Sequence, residues 1–334
     1  MPPLLQVQNL TTVFFTEDGV APAVQDLGFS VDRGEVLGLV GESGCGKTVT
    51  SLSIMRLIRK PGKIIKGEIL FEGENLLDYT DDAMRQIRGK KIAMVFQEPM
   101  TSLNPVFTIG SQMEEVLREH LAFNKKEARE RITELLHLVG IPDPDRVRRC
   151  YPHELSGGMR QRALIAMGLA CAPSLLIADE PTTALDVTIQ TQILKLLKRL
   201  ATELGMGIIF ITHDLGVVAE ICDRVAVMYA SEIAEYANRD DIFSEPKHPY
   251  TLGLLQSLPY YHVPGETLRV LPGQVPKPTN YPQGCHFASR CNFATEKCVN
   301  HHPPFEEVAD RHFTACWHWD ELPVSPNMID DVSS

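Results

Sequence analysis

The chain of 334 residues lacks an uncharged apolar run long enough to cross a membrane, because its longest apolar runs, such as Val36–Val40, are strand-sized. It has no Lys or Arg before Arg33, so the charged start of a secretory signal is missing. Basic residues are outnumbered, with 32 Lys plus Arg against 43 Asp plus Glu and a formal charge of −11. We therefore expect a cytoplasmic chain that does not itself cross a bilayer and that has no general basic surface for nucleic acid.

Proline is scarce in the first part of the chain and frequent in the last. Residues 1–239 contain 11 prolines, whereas residues 240–334 contain 12 and lack long periodic apolar segments. We therefore predict two domains, an α/β body over 1–240 and an irregular C-terminal extension over 241–334. Inside the body, the region from about 99 to 168 has helical stretches but few strand-like runs, which indicates a helical insert.

Short apolar segments alternate with helical patterns in the body. Val36–Val40, Leu175–Ala178 and Ile208–Ile211 carry no polar side chain, which is typical of strands buried on both faces. Between the last two, apolar residues recur at helical spacing from Ile189 to Leu200. This alternation predicts an α/β fold with a mostly parallel sheet covered on both sides.

A glycine-rich loop follows the first of these strands and matches the pattern G-x-x-x-x-G-K-[ST]. Its glycines allow backbone N–H groups to converge on phosphate oxygens, and a helix expected to continue over Ser51–Ile58 adds its positive end. Lys47 is predicted to reach the β- and γ-phosphates, and the Thr48 hydroxyl to bind Mg²⁺. A chance glycine turn is the alternative, but the strand before the loop and the helix after it favour phosphate binding. The predicted phosphate-binding residues are Gly41, Ser43, Gly44, Cys45, Gly46, Lys47 and Thr48.

Two acidic residues end the apolar strand that begins at Leu175. Asp179 is placed to hold Mg²⁺ through water, and Glu180 to act as general base for water attacking the γ-phosphorus. Two acids at the end of a strand are on their own more often a solvated turn. Together with the phosphate loop they predict a hydrolytic site.

The chain also carries short motifs that resemble those of the nucleotide-binding subunit of an ABC transporter. Leu155–Met159 resembles the signature motif, with Met where Gln is commoner. Gln97 matches the Q-loop, Ala184-Leu185-Asp186 the D-loop and His213 the switch histidine. Phe14 lies where the family places an aromatic ring that stacks on adenine. The order of these motifs along the chain is that of the family.

The resemblance implies a P-loop NTPase of the ABC cassette type: a RecA-like core with a mostly parallel sheet, an antiparallel β subdomain and a helical insert. It also implies that two cassettes sandwich two ATP molecules head to tail. Ser156, Gly157 and Gly158 of one cassette would then face the phosphate loop of the other, at the N-terminus of an expected helix over Arg160–Cys171.

The same resemblance implies a role for each remaining motif residue. Gln97 would bind Mg²⁺ and couple the site to a permease, and His213 would contact the γ-phosphate. Asp186 would belong to the nucleotide site. Because Glu180 is present, we expect a catalytically competent site in which Lys47, Glu180 and His213 are the catalytic residues.

Three longer segments, Met100–Pro105, Ile177–Thr188 and Lys247–Thr251, are similar to the dipeptide/oligopeptide/nickel importer group. This likeness implies a peripheral ATPase at the cytoplasmic face of the inner membrane. Its partners would be two membrane permease subunits, a second ATPase subunit that is usually a homologue, and indirectly an extracytoplasmic binding protein. The cargo stays open between peptides, a nickel chelate and glycosidic solutes. Cys45 departs from the group, which usually has Ser there, and we expect a reactive thiol because a helix N-terminus lowers thiol pKa.

Two other functions compete with an importer ATPase. A soluble ABC ATPase acting on nucleic acid or ribosomes is disfavoured, because such relatives bring two cassettes in one chain or long coiled coils, and because the chain is acidic. A non-catalytic regulatory cassette is disfavoured because Lys47, Asp179 and Glu180 are all intact.

Four cysteines occur in the extension with the spacing C-x5-C-x6-C-x17-C, and they are Cys285, Cys291, Cys298 and Cys316. Four thiolates suit structural zinc or an iron–sulfur cluster, and His286 and His318 adjoin them as substitute ligands. The third possibility is that the cysteines are small buried hydrophobic residues without metal. The resemblance to the importer group favours a [4Fe-4S] cluster over Zn²⁺.

Overall fold

The computed structural model describes residues 2–96, 102–183, 185–258 and 271–323. By their internal contacts they form two compact units. Unit 1 comprises Met1–Leu4, Val31–Val36 and Asn75–Ile211. Unit 2 comprises Leu5–Ser30, Leu37–Glu74 and Thr212–Ser334. Among the described residues no helix is both long and apolar enough to span a membrane.

The strands of the described chain, in chain order, are β1 (Leu5–Thr16), β2 (Gly19–Val31), β3 (Val36–Val40), β4 (Gly62–Phe71), β5 (Glu74–Asn75), β6 (Ile92–Val95), β7 (Leu175–Asp179), β8 (Gly207–Thr212), β9 (Arg224–Tyr229), β10 (Glu232–Asn238), β11 (Glu306–Ala309) and β12 (His312–Thr314). The helices are α1 (Lys47–Ile54), α2 (Asp81–Ile87), α3 (Ile109–Leu121), α4 (Lys125–Leu138), α5 (Pro144–Val147), α6 (Gly157–Gly168), α7 (Val187–Leu204), α8 (Leu215–Ile221), α9 (Arg239–Ser244), α10 (Pro249–Gln256) and α11 (Glu296–Asn300).

In unit 2 an antiparallel sheet with the order β2-β1-β4-β5 corresponds to the expected antiparallel subdomain. The other strands of this unit follow the order β11-β12-β10-β9-β3. β3 and β9 are parallel, with Leu37 opposite Arg224, and both strands are buried. Gly38 interrupts the branched and bulky residues of β3 because a Cβ atom there would lie 2.8 Å from the Cys222 sulfur. The close approach of the chain after α8 therefore explains this glycine.

In unit 1, β6, β7 and β8 are neighbouring parallel strands, with Ile177 opposite Met94 and Ile209. Every residue of β7 and β8 is buried, as the apolar sequence predicts. The 18-residue helix α7 turns an apolar stripe, Ile193 to Ala201, toward the interior. The described residues between 102 and 168 contain α3 to α6 and no strand, as expected for a helical insert.

Two local expectations differ from the structure. Helix α1 begins at Lys47 and ends at Ile54, rather than continuing to Ile58. It starts directly after Gly46, and it stops before Arg56, whose φ angle of 50° lies in the left-handed region that ends helices. The extension is also less irregular than predicted, because it contains α10, α11 and the strand pair β11 and β12, with β12 bonded to β10.

Candidate nucleotide site

The loop between β3 and α1 contains glycines where other residues would collide with backbone. Gly41 and Gly46 have φ angles of 152° and 109°, which glycine adopts at no steric cost. A Cβ atom at Gly41 would overlap the carbonyl oxygen of Met228, and one at Gly46 would overlap that of Ala23. A Cβ atom at Gly44 would have no atom within 4 Å. The loop is thus packed at both ends and open in the middle, where a phosphate group is predicted to bind.

Lys47 is the first residue of α1, and only 6% of its surface is exposed. Its Nζ donates hydrogen bonds to the carbonyl oxygens of Gly41 at 2.7 Å and Glu42 at 3.1 Å. Buried charges need such partners, so the ammonium group is held over its own loop. The next residue, Thr48, is exposed.

The thiol of Cys45 contradicts the expectation of enhanced reactivity. Cys45 is fully buried, with 0% of its surface exposed. Burial raises the pKa of its thiol, and the neighbouring Lys47 ammonium opposes this increase only in part. Desolvation of the thiolate therefore outweighs the helix N-terminus, and the expectation of a reactive thiol is wrong.

We accordingly expect Cys45 to react with iodoacetamide at least about ten-fold more slowly than the half-buried Cys150 in the folded protein. In denaturant the two rates should become equal, because the environment of the fold is lost. Peptide mapping by mass spectrometry measures both rates in one sample. Equal rates in the native protein would contradict the burial argument.

Asp179 and Glu180 lie at the carboxyl end of β7, the edge at which open α/β sheets bind ligands. Asp179 is 3% exposed. Glu180 has a φ angle of 46°, a left-handed conformation that costs a residue with a side chain about 1–3 kcal/mol. Its N–H donates to the carbonyl oxygen of Ile211 at 2.9 Å, and its Oε2 accepts a hydrogen bond from the Thr183 hydroxyl at 2.9 Å. A strained residue held from both sides is typical of a functional site.

Two predicted nucleotide contacts have a structural role in the described chain as helix caps. The Ser156 hydroxyl accepts a hydrogen bond from the Met159 N–H at 3.4 Å at the start of α6. The Asp186 Oδ1 accepts one from the Ile189 N–H at 3.0 Å at the start of α7. Both caps are exposed, so capping leaves them accessible to a ligand.

The two glycines of the signature motif differ in how tightly they pack. A Cβ atom at Gly158 would lie 2.7 Å from Cγ2 of Ile189, whereas one at Gly157 would lie 3.6 Å from Cδ2 of Leu185, an ordinary contact. Gly158 is therefore needed for the close approach of α6 and α7. Gly157 is exposed at the N-terminus of α6 and is not required by packing.

We expect Gly158→Ala to destabilise the protein by about 1 kcal/mol, because the steric overlap exceeds the gain in helix propensity. Gly157→Ala is the matched control and should leave the melting temperature unchanged or slightly higher. Differential scanning calorimetry measures both. Combining Gly158→Ala with Ile189→Ala should cost less than the sum of the single changes, since the overlap is then relieved. If the stability losses of the two single variants simply add in the double variant, overlap with Ile189 is not the cause of the destabilisation.

The remaining motif residues lie in different parts of the chain. His213 is exposed immediately after β8, in unit 2. Phe14 lies on β1 opposite Gly62 of β4, and a Cβ atom at Gly62 would approach its ring to 2.7 Å. Gln97 and Ala184 lie outside the described residues. The phosphate loop and His213 belong to unit 2, whereas the acidic pair and the signature motif belong to unit 1. Their meeting around one nucleotide therefore stays a prediction.

The four cysteines of the extension line one small pocket, together with His248, Phe287 and Trp317. Burial raises the pKa of the Cys285 and Cys291 thiols to about 11 and that of Cys316 to about 12. These three thiols are therefore neutral in the absence of metal. We call this site the thiol pocket, and the sequence spacing alone could not show that all four cysteines share it.

The Lys247–Thr251 segment, which served only as a mark of resemblance, has a clear structural role. His248 caps α10 by accepting a hydrogen bond from the Tyr250 N–H at 3.0 Å, and Pro249 occupies the first helical position. Burial lowers the pKa of His248 to about 3, so its ring is neutral and able to accept this bond. The fully buried Glu235 of β10 accepts hydrogen bonds from the N–H groups of Lys247 at 2.6 Å and His248 at 3.1 Å.

The extension and β10 also form a polar cluster that the sequence analysis does not predict. Ligand atoms of Glu232, His286 and His302 lie within 4.8 Å of one another. His302 Nε2 lies 2.8 Å from Oε2 of Glu232. The other carboxylate oxygen of Glu232, Oε1, accepts a hydrogen bond from Gln25 Nε2. His286 Nδ1 lies 3.2 Å from the carbonyl oxygen of Ala230. These polar groups already have protein partners, which indicates a network that ties the extension to β10.

Comparisons with known proteins identify the family of this chain. A family model described as "ABC transporter" matches residues 24–183, and one described as "Oligopeptide/dipeptide transporter, C-terminal region" matches residues 234–298. The oligopeptide transport ATP-binding protein OppD of Bacillus subtilis is 51% identical and covers 97% of this chain and 91% of its own length. The dipeptide transport ATP-binding protein DppD of the same organism is 49% identical, with 96% of each chain covered.

Among solved structures, a dimeric bacterial ABC transporter cassette is 29% identical, with a TM-score of 0.63, and covers 70% of this chain and 98% of its own. The same cassette bound to ADP and Pi has the same identity, TM-score and coverage. The fold and the phosphate loop thus define an ATP-binding cassette. The chain belongs to the ABC transporter ATPases, in the group with the oligopeptide/dipeptide transporter C-terminal region, which confirms the predicted α/β fold class and the resemblance.

Proposed function

We propose that this chain is the ATP-hydrolysing subunit of an importer for dipeptides or oligopeptides. The observation that carries the proposal is the presence of both matched regions in one chain, with about half of all residues identical to OppD and DppD over nearly the whole length. A soluble ABC ATPase acting on nucleic acid or ribosomes has no support of this kind. Within the importer group, a nickel chelate is the alternative cargo.

In this proposal, Lys47 and the loop from Gly41 to Gly46 bind the β- and γ-phosphates. Mg²⁺ is held by Thr48, Gln97 and, through water, Asp179. The packed and open parts of the loop support this assignment, because the open part at Gly44 leaves room for an oxyanion beside backbone N–H groups.

Hydrolysis is assigned to Glu180, His213 and Lys47, whereas Phe14 is assigned to nucleotide binding. Glu180 accepts the proton of the attacking water, and its carboxylate is oriented for this by the Thr183 hydroxyl. His213 contacts the γ-phosphate, and Phe14 stacks on adenine. Lys47 stabilises charge on the transferred phosphoryl group.

Two such cassettes are proposed to enclose two nucleotides, with Ser156, Gly157, Gly158 and Asp186 completing the site of the partner cassette. The partner cassette is proposed to be a homologue. ATP would favour the closed pair and hydrolysis the open one, through differential affinity for the two states. Two permease subunits would transmit this change, so the chain would work at the cytoplasmic face of the inner membrane. An extracytoplasmic binding protein would deliver the cargo.

For the thiol pocket we propose a [4Fe-4S] cluster, with Zn²⁺ as the alternative metal. Four cysteines around one buried pocket fit a cluster held by thiolates. A tetrahedral zinc site with bonds of about 2.3 Å places its sulfur atoms about 3.8 Å apart. Among the described residues the thiols form no group of three within 4.8 Å of one another, so they do not have the spacing of a formed tetrahedral zinc site. Metal analysis and visible spectra after anaerobic purification test this: a folded, colourless and metal-free protein would overturn it.

The experiment that tests the function is a pull-down of the tagged chain from detergent-solubilised membranes of its own organism, followed by mass spectrometry. We expect permease subunits and a second cassette. Recovery of ribosomes or DNA without permeases would overturn the proposal. Labelled di- and tripeptides, compared with a nickel chelate, would then distinguish the cargoes in vesicles containing the whole complex.

A further inference from the structure

Glu42 follows the first glycine of the phosphate loop, and its N–H, its carbonyl oxygen and its carboxylate all form hydrogen bonds. Its carbonyl oxygen accepts hydrogen bonds from Lys47 Nζ at 3.1 Å and from the Cys45 N–H at 3.3 Å. Its N–H donates to the hydroxyl oxygen of Tyr250 at 2.9 Å, and its carboxylate meets Arg290. Tyr250 and Arg290 both belong to the extension, so part of the phosphate loop is held by residues more than 200 positions away.

The contact between Arg290 and Glu42 is bidentate and partly buried, with a 3% exposed Arg290 side chain and a 32% exposed Glu42 side chain. Nη1 donates to Glu42 Oε2 at 2.6 Å and Nη2 donates to Oε1 at 3.0 Å. The Arg290 side chain is 3% exposed and also donates from Nε to the carbonyl oxygen of Pro272 at 2.7 Å. Paired donors in a fixed plane give geometric specificity that a single ion pair lacks. The guanidinium therefore fixes the position of the Glu42 carboxylate and neutralises its negative charge.

Tyr250, whose hydroxyl accepts the hydrogen bond from the Glu42 N–H, is itself firmly packed. It is 0% exposed, and its ring packs against Tyr229 with centroids 4.7 Å apart and against Phe287 at 5.4 Å. Arg290 lies over the Tyr229 and Phe287 rings, 5.6 Å and 5.8 Å from their centroids. Within the part of the chain that the structure describes, the carboxylate that pairs with this guanidinium is that of Glu42.

Arg290 directly precedes Cys291, one of the cysteines that line the thiol pocket. It ends the single helical turn Ala288–Arg290, which lies between Cys285 and Cys291, and the Ala288 N–H donates to the Cys285 carbonyl oxygen at 3.1 Å. Phe287, which contacts Tyr250, lines the thiol pocket as well. Cys285 and Cys291 flank this short turn, so a change at their thiols, such as metal binding or oxidation, would act on the backbone that carries Arg290.

We propose that Arg290 is a positioning residue that couples the thiol pocket to the phosphate loop, so that the state of the four thiols and the affinity for nucleotide are linked. The inference rests on the proposed nucleotide binding by this loop. Loss of the guanidinium loosens Glu42 and leaves its carboxylate uncompensated beside the phosphates. Both consequences weaken nucleotide binding.

The first test measures the affinity of the full-length protein for Mg²⁺ and a non-hydrolysable ATP analogue by isothermal titration calorimetry. We expect Arg290→Met to raise the Kd about ten-fold, the order of one lost charge-assisted contact. Arg311→Met is the matched control, because Arg311 is an exposed arginine of the same extension, and its Kd should equal that of the wild type. Adding Glu42→Gln to Arg290→Met removes the uncompensated charge and should restore part of the affinity.

The second test uses the reciprocity of coupling: if the state of the thiols changes the affinity for nucleotide, bound nucleotide must in turn change the state of the thiols. Bound analogue should slow the alkylation of Cys291 by iodoacetamide, or the loss of pocket metal to a chelator, about ten-fold in the wild type. In Arg290→Met the nucleotide should have no such effect. Thermal melts identify any variant that fails to fold. If Arg290→Met does not fold, Arg290→Lys takes its place, because lysine keeps the charge without the bidentate geometry. Its Kd should lie between that of the wild type and the ten-fold increase expected for Arg290→Met.

The outcomes separate the two proposals. A wild-type protein that does not bind the analogue refutes the proposed function. Normal binding by the wild type together with an unchanged Kd in folded Arg290→Met or Arg290→Lys overturns the coupling alone. A thiol reactivity that ignores nucleotide in the wild type overturns it as well.

Discussion

ATP hydrolysis by the Glu180→Gln variant is expected to fall at least about 100-fold, with nucleotide affinity unchanged, because the amide cannot accept the proton of the attacking water. The amide oxygen can still accept the hydrogen bond that the Thr183 hydroxyl now donates to Glu180. The left-handed backbone at position 180 is also retained, since Glu and Gln have the same shape. The substitution therefore removes the proposed general base and keeps the side-chain hydrogen bond and the backbone conformation at position 180.

Phosphate release by the purified complex measures hydrolysis, and calorimetric titration with ATP and Mg²⁺ measures affinity. Glu130→Gln, an exposed carboxylate of α4, is the control for loss of one charge and should behave as the wild type. Turnover within two-fold of the wild type would remove Glu180 from the role of general base. Loss of binding instead would assign the residue to the structure of the site.

Lys47→Met should abolish useful nucleotide binding, with Kd increased about 100-fold or more. Two charge-assisted hydrogen bonds to phosphate oxygens are each worth about 1.5–3 kcal/mol. The substitution should not unfold the protein, because the methionine occupies the same buried space and the loop glycines keep their backbone contacts. Its cost in stability is limited to two carbonyl oxygens that lose a donor.

The exposed Lys195 of α7 provides the control Lys195→Met, which should bind ATP as the wild type does. Equilibrium binding of a fluorescent ATP analogue, checked by thermal melts, measures the effect. An affinity for Lys47→Met equal to that of the control would exclude this loop as the phosphate site and with it the proposed function.

Much of the fold could be predicted because buried strands carry a strong local signal. Val36–Val40 was predicted with the bounds of β3, and the other two apolar segments lie within β7 and β8. The predicted ends of helices are less accurate. Helix α1 ends at Ile54 because the backbone of Arg56 is left-handed, although the residue types from Met55 to Ile58 are compatible with a helix. The regular structure of the extension exceeds the prediction, since β12 is a short strand that pairs with β10, and β11 is a short strand that pairs with β12.

The same contrast holds for the candidate site. The phosphate loop and the acidic pair are recognisable because their spacing follows from the chemistry of one ligand. The Cys45 thiol was misjudged, because its pKa depends on burial, which its neighbours in sequence do not reveal. Asp186 and Ser156 carry a capping role that the motif alone does not show.

The sequence by itself determined the class of this protein: the spacing of the loop and of the acidic pair, and the order of the short motifs, are local properties. Only the tertiary structure decided that the four cysteines of the extension line one pocket and that Arg290 meets Glu42 across 248 positions. Such contacts depend on how buried surfaces pack together, and no local pattern of residues records which distant partner a buried charge will find.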